Sequence, residues 1–148
     1  SVHVSNPDLS PDGGRVLFDC ADPNGSGFRE ICAMDADGSN VDELTADGDI
    51  TPDRKAKWSP DGTRIVYQRE GSDFGVFVMN PDGSGRRRLT SSGLVCNSPV
   101  WSPTGAQVAC LCRDSSGAYQ INILGADGTG QKAITGTGDI KVDIAWSP

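Results

Sequence analysis

The ten residues Trp58-Ser59-Pro60-Asp61-Gly62-Thr63-Arg64-Ile65-Val66-Tyr67 decide how this chain is read. A short run meets a Ser-Pro-Asp-Gly turn, and a second run rich in β-branched and aromatic side chains follows at once. Each turn residue has a mechanism: Pro presets φ, Asp hydrogen-bonds its own backbone, and Gly takes the positive-φ position. The segment is a β-hairpin. The same landmark stands at Ser10-Pro11-Asp12-Gly13 and Ser102-Pro103-Thr104-Gly105 and restarts at Trp146-Ser147-Pro148, with spacings of 49, 43 and 45 residues.

Two further landmarks keep a stricter period. Asp37-Gly38-Ser39, Asp82-Gly83-Ser84 and Asp127-Gly128-Thr129 step by 45, as do Leu44-Thr45, Leu89-Thr90 and Ile134-Thr135. Within one period, Gly- and Asp-rich punctuation brackets short strand-like runs. In the second unit these are residues 56–59, 64–69, 75–79 and 86–90. No apolar period of roughly 3.6 residues is sustained, so helix is expected to be essentially absent. A four-stranded unit of about 45 residues in tandem reads as a blade of a β-propeller. The expected fold is therefore all-β: three four-stranded blades at about 1–45, 54–90 and 97–135, plus the opening strand of a fourth at about 141–148. Closed propellers typically have four to eight blades. The chain is thus expected to be an incomplete propeller, either part of a longer one or completed by self-association, with large apolar blade faces uncovered.

The pattern Trp58 to Tyr67, followed by Val76-Phe77-Val78-Met79-Asn80-Pro81-Asp82-Gly83-Ser84-Gly85-Arg86-Arg87-Arg88-Leu89-Thr90, resembles the TolB-like, WD-type β-propeller repeat family, and the resemblance covers the whole chain. It implies that the Trp-Ser-Pro strand is innermost and the Leu-Thr strand outermost. Leu9 stands where the other units carry Trp58, Trp101 and Trp146. Pro7 and Pro99 match the family's proline before that tryptophan, whereas Ala56 and Ile144 replace it.

Composition narrows the function. The chain has 148 residues, and 13 Lys+Arg against 20 Asp+Glu leave a net charge of −7. Nucleic acid, which demands a basic surface, is excluded as an expected partner. The longest apolar run, Val108-Ala109-Cys110-Leu111-Cys112, falls far short of the roughly 18 residues needed to cross hydrocarbon, so membrane insertion is not expected. The chain opens at Ser1 without an initiator Met or a leader-like segment and reads as a fragment or a processed product.

The single histidine, His3, lies in the opening strand, and no G-x-S-x-G elbow is present, so a hydrolytic triad has no base and no nucleophile. Asp35-Ala36-Asp37-Gly38-Ser39 resembles the start of a calcium loop, but Ala46 stands where the bidentate Glu should be, and a hairpin turn is the better reading. The five cysteines, 20, 32, 96, 110 and 112, show no C-x-x-C spacing. Cys110 and Cys112 share one strand face and are read as packing between blades, although a metal pair is conceivable. Cys20 and Cys112 hold one repeat position, occupied by Arg69 in the middle unit, which fits substitution at a structural site better than a paired framework. Arg86-Arg87-Arg88 reads as edge charge that discourages sheet-to-sheet pairing. No catalytic residue, metal ligand or cofactor is assigned.

One feature points to binding. Residues 45–53 and 135–143 share five of nine positions, including a Gly-Asp-Ile core. These segments join the outer strand of one blade to the inner strand of the next, on one face beside the central channel. Asp49, Asp53, Asp139 and Asp143 are expected to form an exposed, partner-binding acidic rim. The expected function is a non-enzymatic scaffold for a protein or peptide partner, and resemblance to TolB, a periplasmic component of a cell-envelope system, implies a periplasmic or secreted location. The alternative is the gating propeller of a prolyl oligopeptidase-type serine peptidase whose catalytic domain lies outside this chain.

Overall fold

A computed structural model describes residues 4–21, 29–45, 51–136 and 144–146. Among the described residues, twelve strands form three four-stranded antiparallel sheets, each a simple meander. The first contains β1 (Ser5–Leu9), β2 (Arg15–Ala21), β3 (Arg29–Asp35) and β4 (Asp42–Glu43). The second contains β5 (Asp53–Trp58), β6 (Ile65–Arg69), β7 (Gly75–Met79) and β8 (Arg87–Arg88). The third contains β9 (Val95–Trp101), β10 (Gln107–Arg113), β11 (Tyr119–Gly125) and β12 (Lys132–Ala133). Among the described residues the sole helical element is a 3-10 turn at Gly71–Asp73. The chain is thus an all-β, open propeller arc. The opening strand of a fourth blade, expected at 141–148, falls mostly outside the described residues, and 144–146 carry no strand.

The turn landmarks do what their chemistry predicts. Ser10 Oγ and Ser59 Oγ donate to Asp12 and Asp61 at 2.6 Å, and each serine oxygen also accepts from the residue five ahead, Arg15 N or Arg64 N. In the Asp-Gly-Ser turns, the aspartate accepts from both N–H and hydroxyl two residues on, as in Asp37 with Ser39 and Asp82 with Ser84. The stretch that resembles the start of a calcium loop is, as expected, a closed hairpin turn, in which Gly38 N donates to Asp35 O. The Leu-Thr landmark ties the outer edge inward: the hydroxyls of Thr45, Thr90 and Thr135 accept from Ile31 N, Val76 N and Ile121 N.

Alternation along each middle strand sends side chains to two different neighbours. Leu17, Ile31, Ala33 and Leu44 of the first sheet pack with Ala56, Trp58, Ile65, Tyr67, Phe77 and Met79 of the second. The opposite face of the second sheet, Val66, Val76, Val78 and Leu89, packs with Trp101, Val108, Cys110 and Leu124 of the third. Phe18, Cys20 and Cys32, at the outward face of the first sheet, are also buried, with Met34 packed on them. The expectation of a large uncovered apolar face is therefore not met at the first blade. On the third sheet, Leu111, Ile121 and Ile123 remain half-buried on the outward side.

Candidate functional site

Each inner strand carries a bulge at the same repeat position, where a non-glycine residue takes positive φ: Asn6 at 54°, Lys55 at 55° and Ser98 at 51°. Such φ values cost free energy and persist only when their surroundings hold them. In the second and third blades the holding group comes from the preceding blade. Asp19 Oδ1 accepts from Lys55 N at 2.9 Å, and one blade later Gln68 Oε1 accepts from Ser98 N at 3.2 Å. Asp19 is fully buried and also accepts from Asn6 Nδ2 and pairs with Arg54 Nε at 3.5 Å.

A second set of links runs along the inner strands. Asp8 accepts from Trp58 N at 2.8 Å and pairs with Lys57 Nζ at 3.0 Å. Trp101 Nε1 donates to Lys57 O at 3.1 Å, and Trp146 Nε1 reaches Val100 O at 3.4 Å. The bulges leave a groove of about 240 Å³ on the inner side, lined by Asn6, Lys55, Lys57, Ser98, Val100 and Ile144. Lys55 Nζ donates to Ser98 Oγ across it. Sequence reading missed the Asp19 and Gln68 latches. Their signal was a polar residue after Phe18 and Tyr67 in otherwise apolar strands.

Asp53, expected on an exposed rim, lies elsewhere. It is fully buried and makes a bidentate pair with Arg69, at 2.9 Å to Nε and 2.8 Å to Nη2. It opens β5 directly opposite Arg69 on β6, so its side chain turns into the blade instead of toward solvent. Asp49, Asp139 and Asp143 lie outside the described residues, as does His3.

The arginine run also differs from its expected role. Arg86 Nη2 donates to Leu44 O at 2.7 Å and Arg87 Nη1 to Asp127 O at 3.0 Å, so these side chains tie the second blade to the blades on either side. Arg88 pairs with Asp73 and donates to Phe74 O at 2.8 Å. It fills space left by Gly75, where a Cβ would stand 2.7 Å from its guanidinium.

The cysteines form two disulfides, Cys20–Cys32 and Cys96–Cys112, so the paired framework that the shared repeat position of Cys20 and Cys112 disfavoured is the one present. Cys20 and Cys112 share a repeat position, yet Cys20 bonds outward to β3 and Cys112 inward to β9. Cys110 is free and buried in the core between blades, and burial pushes its thiol up to about 12.

These latches repeat from blade to blade, and the match to a known repeat family extends over all of them. A model of the TolB β-propeller domain matches residues 1–148. The chain belongs to this family. The TolB-type arc is 46% identical over 63 residues to the Tol-Pal system protein TolB of Gluconobacter oxydans, covering 41% of the chain and 14% of that protein. It is 28% identical over 117 residues to the uncharacterized peptidase YuxL of Bacillus subtilis, covering 72% of the chain and 17% of that protein. The crystal structure of TolB from Acinetobacter baumannii superposes with a TM-score of 0.76 at 24% identity, over 93% of the chain and 33% of that structure. The TolB-type arc therefore spans only a small part of the curated relatives it matches.

Proposed function

We propose that this TolB-type arc is a non-enzymatic scaffold that holds a protein or peptide partner on the face where its blade-joining loops gather, in the periplasm or another secreted setting. The observation that carries this reading is the engagement of its buried carboxylates. Asp19 holds a bulge, Asp53 holds Arg69, and Glu30 accepts from Thr45 Oγ1 at 2.6 Å, so each acts on the blade itself. Recognition then falls to the loops that a rigid scaffold displays. Two disulfides suit an oxidising compartment. The similarity to a Tol-Pal system protein supports an envelope role. In this reading Asp49, Asp139 and Asp143 supply the acidic rim, while Asp53 anchors the base of its loop.

The test is binding of a fluorescent oligolysine peptide, followed by anisotropy at low and raised salt. The chain is expected to bind it, and binding should weaken with salt as exposed charges are screened. The triple variant Asp49→Asn, Asp139→Asn, Asp143→Asn should lose that response. Unchanged binding in the variant would remove the rim from the proposal.

A second reading rests on the similarity to YuxL over most of the chain: the arc is the propeller portion of a serine peptidase. An α/β-hydrolase domain with a G-x-S-x-G elbow in the parent reading frame would favour it.

A further inference from the structure

Three sulfurs meet in the core between the second and third blades. Cys96, Cys110 and Cys112 are buried, and their Sγ atoms all lie within 4.8 Å of one another. Cys110 Sγ stands 3.6 Å from Cys112 Sγ on the same face of β10, and Cys96 is directly opposite Cys112 on β9. The equivalent sheet position in the first blade has only the Cys20–Cys32 pair, because Phe18 replaces the third sulfur.

A second, independent feature points at the same spot. The side-chain amide of Gln131 directs Nε2 at the cluster, 3.6 Å from Cys112 Sγ and 3.9 Å from Cys96 Sγ. Its orientation is fixed from both ends: Oε1 accepts from Ser91 N at 2.8 Å, and Nε2 also donates to Asn122 Oδ1 at 3.3 Å. An N–H donor aimed at sulfur favours electron-rich, thiolate-like sulfur, as the partners around metal ligands commonly do. There is also a way in. Cys112 borders an open pocket of about 210 Å³ formed with Leu94, Asp114, Gln120 and Asn122.

We propose that reduction of the Cys96–Cys112 disulfide turns this cluster into a three-thiolate site for one Cu(I) ion. A dithiol reductant supplies two electrons and two protons, leaving Cys96 and Cys112 as thiols and itself as a disulfide. The entering ion then displaces the three thiol protons to solvent. A metal–sulfur bond of about 2.3 Å places the sulfurs of a trigonal set about 4.0 Å apart. Cys110 and Cys112 already stand 3.6 Å apart, whereas Cys96 and Cys112, bonded in the oxidised chain, must part to that distance once reduced. Soft thiolates select Cu(I) or zinc, but structural zinc takes four ligands, so three converging sulfurs favour Cu(I). The disulfide thus acts as the gate: oxidised, the site is closed; reduced, it is open.

The test is anaerobic titration of the full chain with Cu(I) against a chromophoric Cu(I) chelator, before and after reduction by a dithiol. Reduced protein is expected to take one ion and oxidised protein none. Gln131→Leu should weaken binding by about 10–100-fold. Cys110→Ala should abolish it, and the double variant Cys20→Ala, Cys32→Ala, which lacks the other pair, should retain it. Circular dichroism on each reduced sample establishes that the sheets persist. The proposal is overturned by absence of Cu(I) binding, by Zn(II) binding as tightly, or by equal losses whichever cysteines are removed, as a loosened chain would show.

Discussion

Asp53 and Arg69 stand directly opposite each other on β5 and β6, and their ion pair occupies the place that the Cys96–Cys112 disulfide holds one blade later. The same cross-strand position is closed by charge in one blade and by a covalent bond in the next. Removing one member of a buried pair strands the other, at a cost of about 3–5 kcal/mol. Asp53→Ala should therefore destabilise strongly in urea unfolding. The double variant Asp53→Cys, Arg69→Cys should form a cross-strand disulfide, detected as no gain in titratable thiols over the wild-type chain. A double variant that stays reduced in air would show that the two positions are not equivalent.

The Asp-Gly-Ser and Leu-Thr landmarks share one period because they touch. A Cβ on Gly83 would stand 2.5 Å from Leu44 O, and one on Gly128 would stand 3.0 Å from Leu89 O. Gly38 has a similar φ, 88° against 80°, but open space around it. Both Gly38→Ala and Gly83→Ala should lose about 1–2 kcal/mol to the left-handed backbone. Gly83→Ala should lose a further 1–3 kcal/mol or so because its methyl enters the neighbouring blade. Equal losses in denaturant titrations would mean that this contact gives way without cost.

Trp58 and Trp101 are each 8% exposed and fill the wedges between sheets. Replacing either by Ala should cost about 3–5 kcal/mol. Phenylalanine separates the two. Trp101 Nε1 donates to Lys57 O, whereas Trp58 Nε1 is buried without a partner among the described residues. Trp101→Phe should lose about 0.5–1.5 kcal/mol more than Trp58→Phe, read from paired urea midpoints.

The fold was legible because its punctuation is local. Ser59, Asp61 and Gly62 make their hairpin from bonds within six residues, so a reader of the sequence sees the whole interaction. Links between blades are different. The Asp19 bond to Lys55 N spans 36 residues, and the Arg86 bond to Leu44 O spans 42. Neither partner is implied by its own neighbours in sequence. Asp53 was misplaced for the same reason: in a loop context a carboxylate faces water, but here Arg69, the odd charge at a position held elsewhere by cysteine, draws it into the sheet.

Acid should loosen the turns. Hydrogen bonds from Ser59 and from the backbone and hydroxyl of Thr63 lower Asp61 from 3.8 to about 2, and similar bonds lower Asp12, Asp37, Asp82, Asp114 and Asp127. A folded-state value below the unfolded one means that the unfolded chain takes up protons first. The turns thus contribute fully above 3.8 and lose that contribution as pH falls toward about 2. Thermal midpoints should hold level on the neutral side and drop through this window, and Asp61→Asn should flatten part of the drop. A midpoint that rises on acidification would reverse the sign of the linkage.

The final expectation concerns the outward side of the third sheet. Leu111 pairs with Ile121 across β10 and β11, and both, with Ile123 on the same face, are only half-buried. On the opposite face, Val108, Cys110, Cys112 and Leu124 are covered by the second blade. A sheet apolar on both sides seeks a second layer. We therefore expect the isolated chain to associate with another copy through this face, as two propeller arcs that cover each other. Light scattering at micromolar concentration should report a species larger than 15.5 kDa. Leu111→Lys with Ile121→Lys should return it to monomer, because two like charges on each copy would oppose contact. These substitutions leave the Trp101 and Val108 packing intact, so the monomer should keep its sheet spectrum. A wild-type chain that scatters as a compact monomer would show that half-burial of this face is tolerated in water, and the partner would then have to be sought on the loop face alone.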